Sequence, residues 1–126
     1  DTKKPFLHIG QEQFLDDKID GDINDSKDGK RNFYIYNNIL KNNNESYGVY
    51  IKNSLHYSYT DLKLIYRKNA PLSIPLKSLG EVDKRIIDSV MDKTVLDFFD
   101  YSLKNKELNI NNYNTYEGQV IYNKYP

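Results

Sequence analysis

Histidine is the side chain best suited to acid–base work near neutral pH, and this chain has only His8 and His56. Both fall in stretches expected to be strands, so a sheet could bring them together as the acid and base of a nuclease-like step. No Lys/Arg cluster or metal triad accompanies them, and the chain is read as a non-enzyme with no catalytic residue. Asp20, Asp22, Asn24, Ser26 and Asp28 alternate oxygen ligands as a calcium loop does. However, the twelfth loop position, which should supply a bidentate Glu, is Arg31 or Phe33 depending on register, and no glycine stands where the sharp turn needs it. An ordinary polar loop is the better reading, and neither a metal nor a cofactor is expected. Cysteine is absent, which removes disulfides and thiolate metal sites and is compatible with a cytosolic protein or a bacterial surface domain. Phosphate-binding glycine loops, nucleophile elbows and zinc helices are also missing. Asn24-Asp25-Ser26 and Asn44-Glu45-Ser46 match the glycosylation pattern, as chance allows in so Asn-rich a chain.

The elements that must position any site fit one domain over residues 1–126, which is a common domain size. Lys plus Arg and Asp plus Glu each number 18, so no global basic field draws nucleic acid, and an anionic partner must be met locally. No apolar run approaches the roughly 20 residues of a membrane span, and no signal peptide is recognised. A chain opening on Asp1 reads as a processed or excised segment. Phe6-Leu7-His8-Ile9 reads as a first strand and Gln11–Asp20 as a weak helical turn around Phe14, Leu15 and Ile19. Residues 20–32 read as a flexible polar loop. Aromatic and branched residues make 33–40 an expected strand, with 41–46 a turn and 47–59 the return strand, kinked at Asn53-Ser54. The expected product is a three-stranded antiparallel sheet.

Ser78-Leu79-Gly80-Glu81 has capping-box spacing and predicts the start of a long helix. Its apolar stripe is Ile87, Met91, Val95, Phe98 or Phe99, and Leu103, with a possible break at Asp92–Thr94. Gln119–Tyr122 allows a further extended or helical piece. Between sheet and helix, Tyr57–Gly80 changes period. Leu55, Tyr57 and Tyr59 lie two apart, whereas Leu62, Ile65 and Tyr66 lie three and four apart, with Thr60 or Asp61 able to cap the new helix. Pro71 and Pro75 then bound an apolar loop of Leu72, Ile74, Leu76 and Leu79 that carries Lys77.

This order of elements resembles a phox-homology (PX) domain. Tyr59-Thr60-Asp61-Leu62 stands at the family's Tyr-Ser-Asp-Phe motif, and Ile74-Pro75-Leu76-Lys77 at its proline-rich lysine loop. Val95-Leu96-Asp97-Phe98-Phe99 is similar to its Leu-x-x-Phe-Leu helix, and Lys104–Leu108 to the segment that often follows. The resemblance implies an α+β fold in which a three-stranded antiparallel sheet packs against a helical subdomain and a phosphoinositide headgroup lies between them. It assigns Tyr59 as the floor of that pocket and Lys77 as a phosphate ligand. Ser58 stands where the family has the arginine that grips the 3-phosphate, and Val90 or Met91 where it has a helix arginine. A hydroxyl supplies neither the charge nor the fork of a guanidinium, so Arg67 and Arg85 are the candidate substitutes. Leu72, Ile74, Leu76 and Leu79 would insert into the membrane. The implied role is a cytoplasmic membrane-recruitment module that is peripheral on membranes and binds an anionic lipid, a phosphoinositide, through an atypical pocket. The alternative is a protein-interaction module that uses its 12 tyrosines as contact surface.

Overall fold

Ser46–Ile51 is a short run in which every residue is buried, and it forms the central strand β2 of a three-stranded sheet with order β1-β2-β3. The computed structural model containing it describes residues 4–17, 27–61, 79–108, 116 and 118–125. Strand β1 is Phe6–Gln11 and strand β3 is Val120–Lys124. The Phe6 N–H donates to the Glu45 carbonyl at 3.0 Å and the Tyr125 N–H to the Ser46 carbonyl at 2.8 Å. Strand β1 therefore begins where β2 begins and runs parallel to it, whereas β3 ends there and runs antiparallel. The sheet is mixed, and the antiparallel meander expected from the sequence is corrected.

Parallel neighbours require a crossover connection, and here it contains helix α1 (Phe14–Asp17), helix α2 (Lys27–Ile35) and a π-helical turn, Tyr36–Leu40. Phe14, Leu40, Tyr50 and Tyr125 form the buried cluster between these helices and the sheet, with Phe6, Leu15, Ile35, Tyr36 and Ile121 packed around it. This packing explains why the expected strand at 33–40 is helical instead. Its aromatic and branched residues carry strand propensity, but a helix with a widened last turn places Ile35, Tyr36 and Leu40 together on the core, and tertiary burial outweighs propensity. The Asn37 and Asn38 amides bond back to the Phe33 and Tyr34 carbonyls at 2.9 and 3.0 Å, which further supports the helical path. Residues 27–32, expected in a polar loop, belong to α2.

The chain divides into two compact units, Asp1–Tyr50 with Asn109–Pro126, and Ile51–Leu108. In the second unit, the expected return strand at 55–59 is a 3₁₀ turn, His56–Tyr59. The long helix, α3, spans Lys84–Lys104 without a break at Asp92–Thr94. Asp83, not Ser78, is its N-cap, with its carboxylate accepting the Arg85 N–H at 2.9 Å. Residues 80–82 just before it are not helical. Gly80 has φ +67°, and the Glu81 and Val82 N–H groups donate to the Asn53 carbonyl at 3.0 and 3.3 Å. The helix ends on Asn105, whose φ of 54° is the left-handed conformation in which Asn is tolerated.

Candidate functional site

The residues that the resemblance assigned to a headgroup pocket do not assemble into one among the described residues. Ser58 is completely buried. Its Oγ donates to the Leu79 carbonyl at 2.7 Å and accepts the Leu55 N–H at 2.8 Å, so it ties the 3₁₀ turn to the segment leading into α3. A β-carbon on Gly80 would stand 2.5 Å from that Oγ, which leaves no room for a larger side chain at either position. Leu79 is 3 % exposed and is a core residue, which corrects its assignment to membrane insertion. Tyr59 is half-buried. Its hydroxyl donates to Ser54 Oγ at 2.9 Å while Ser54 donates to the Ile51 carbonyl at 2.6 Å, and burial pushes the phenol above its usual range. Arg85 is exposed, but its guanidinium is engaged by the Asp83 carboxylate at 2.7 Å. Arg67, Leu72, Ile74, Leu76 and Lys77 lie outside the described residues.

Helix α3 presents a different surface. Its buried stripe is Lys84, Ile87, Val90 and Thr94. On the opposite side Leu96, Phe99 and Leu103, spaced three and four apart, are 62 %, 53 % and 75 % exposed. Leu103, and either Phe98 or Phe99, were read from periodicity as core-facing, and the exposure of Leu103 and Phe99 corrects this. Apolar residues recur on two sides of the C-terminal half of α3, so spacing alone cannot tell the packed stripe from the open one. The lysines flanking the open stripe are ion-paired. Lys93 pairs with Asp97 at 2.7 Å, and Lys104 and Lys106 pair with Asp100 at 2.6 and 2.5 Å. The two ammonium groups, Lys104 first, hold the Asp100 carboxyl below the usual carboxylate range. At the helix start, the buried Lys84 ammonium contacts Asp88 and, at 3.7 Å, Asp61.

In the first unit, Tyr50 and Tyr125 share a hydroxyl–hydroxyl hydrogen bond of 2.7 Å, and His8 Nδ1 lies 3.4 Å from the Tyr50 hydroxyl. The His8 ring packs on Phe14 at 4.2 Å between centroids. Burial, helped by the nearby Arg31 charge, lowers the His8 pKa to about 4, so the ring is neutral at physiological pH. Burial and the hydrogen bond to Tyr125 raise the Tyr50 phenol far above its ordinary range. Two phenols and a neutral imidazole on an aromatic core make a hydrogen-bonded polar network. His56 belongs to the second unit, on its 3₁₀ turn, with its ring against Tyr57.

Among the described residues, no group of three or more His, Asp or Glu side chains can hold a metal ion. None of the described helices is long and apolar enough to cross a membrane. The chain matches no protein-family model, no curated protein and no solved structure.

Proposed function

We propose that this chain is a protein-interaction module whose contact surface is the Leu96, Phe99 and Leu103 stripe of α3. The observation that carries the reading is the exposure of three large apolar side chains in one helical row. Fully burying each such side chain stabilises by about 1.5–3 kcal/mol, so covering what is now exposed is worth roughly 3–5 kcal/mol before association costs. Such a row fits an apolar groove or helix of a partner, with Phe99 as the aromatic anchor. Over residues 92–107 the three lysines Lys93, Lys104 and Lys106 stand against four acids, Asp92, Asp97, Asp100 and Glu107, so this half of the helix has no surplus positive charge to draw an anionic membrane.

The competing proposal is phosphoinositide-dependent membrane recruitment of PX type. It now depends on Arg67, Leu72, Ile74, Leu76 and Lys77, because Ser58 and Leu79 belong to the core. Sedimentation with liposomes containing each phosphoinositide in turn separates the two. The interaction reading expects no lipid-dependent pelleting, together with recovery of a discrete partner that Leu96→Glu/Leu103→Glu abolishes. Phosphoinositide-selective pelleting unaffected by that double substitution would instead establish the membrane reading.

A further inference from the structure

A chain with equal numbers of acidic and basic residues can meet an anionic partner only through a local cluster, and α2 carries one. Lys27, Lys30, Arg31, Tyr34 and Asn38 recur at three and four residues along α2 and its π-helical extension, and all are exposed. Beside them run Phe33, Asn37 and Lys41. Tyr34 is 62 % exposed and Phe33 41 %, although the same segment buries Leu40. The contrast with α3 is informative. There the cations engage aspartates, whereas Lys27, Arg31 and Lys41 form no ion pair with any described residue. The sequence of α2 holds one acid, Asp28, against three cations. Lys27 and Arg31, four residues apart, repel one another along the helix, and an external anion relieves that repulsion.

We propose that this face of α2 binds a single-stranded nucleic acid, with phosphates on Lys27 and Arg31 and a base stacked on Tyr34 or Phe33. The interleaving of cations with open aromatic rings favours this ligand over other anions. A single strand offers both a charged backbone and free base faces, whereas a duplex keeps its bases stacked internally. An acidic peptide answers the cations but not the rings. An anionic membrane requires a wide apolar face on the helix, and in α2 and its extension Ile35, Tyr36 and Leu40 are already packed on the core. The proposal is independent of the α3 surface, which lies in the other unit.

The test is fluorescence anisotropy of a labelled mixed-sequence oligonucleotide of about 20 nucleotides, as single-stranded DNA and as RNA, starting at about 50 mM salt. The same titration is run with the matched duplex, and pelleting is measured with phosphatidylserine vesicles. Two phosphate contacts give a log affinity against log salt slope of about −1.4. Lys27→Glu/Arg31→Glu is expected to weaken binding at least tenfold, and Tyr34→Ala by about tenfold, since stacking on one ring is worth a factor of that order. Lys106→Glu, on the other unit, should leave affinity unchanged, and circular dichroism confirms that each variant is folded. The proposal is overturned by an absence of single-strand binding at low salt or by equal affinity of the folded variants and the parent. It is also overturned by duplex binding as tight as single-strand binding, or by vesicle binding that depends on Lys27 and Arg31 without oligonucleotide binding.

Discussion

The buried His8 ring gives the fold a pH dependence that can be worked out in advance. The groups facing it are Phe14 of α1, Tyr50 of β2 and, through its charge, Arg31 of α2. Its pKa is about 4 in the folded chain against the ordinary 6.5, so between those values the unfolded chain binds the proton and the folded chain does not. Stability therefore rises with pH across this window. The contribution is fully present above about pH 7, declines as pH falls through 6.5, and is lost by about pH 4. At about 1.36 kcal/mol per pKa unit the whole effect is about 3 kcal/mol, of which about 2 kcal/mol has gone by pH 5. His8→Phe keeps an aromatic ring against Phe14 but has no proton to bind. The assay is urea unfolding of parent and variant at pH 7 and pH 5, a range chosen because few carboxylates titrate in it. The parent midpoint should drop by on the order of 1 M urea more than the variant midpoint. Parallel pH profiles for the two proteins would refute the buried neutral imidazole.

Three other substitutions probe separate joints of the structure. A β-carbon at Gly48 would stand 2.5 Å from the Tyr50 hydroxyl, so Gly48→Ala should displace Tyr50 from Tyr125 and lower stability by about 1–3 kcal/mol, read as a fall in Tm. Ser58→Arg should destabilise by about 3 kcal/mol or more, because it drives a charge into a fully buried site and removes the bonds to Leu79 and Leu55; chemical denaturation measures the loss. Asp83→Ala removes the N-cap of α3 and the Arg85 contact, and should cost about 1 kcal/mol in the same assay.

Strand β1, the 41–46 turn, the core of β2 and the long helix were legible in the sequence because local pattern and tertiary context agree there. Phe33–Leu40 was not, since its composition favours a strand while the core cluster requires Ile35, Tyr36 and Leu40 on one helical face. The return strand at 55–59 failed for a related reason. Leu55, Tyr57 and Tyr59 alternate, but Ser58 closes a 3₁₀ turn through side-chain bonds that periodicity does not record. The partner strand of the sheet comes from Val120–Lys124, near the other end of the chain, and no short-range signal announces so distant a pairing. The α3 surface was hidden because Leu96, Phe99 and Leu103 have the same spacing as a buried stripe, and only the packed structure shows that Ile87, Val90 and Thr94 occupy the core instead.

Photo-crosslinking from α3 tests the interaction surface most directly. A benzophenone amino acid is placed at position 99, within the exposed apolar row, and in a second protein at position 56, an exposed histidine on the 3₁₀ turn and off the helix. Irradiation in the native cell extract should yield a discrete crosslinked protein from position 99. That product should be absent from position 56 and lost when Leu96→Glu and Leu103→Glu are added. Equal crosslinking from both positions, or a position-99 product that survives the two glutamates, would contradict the claim that this stripe is where the chain meets its partner.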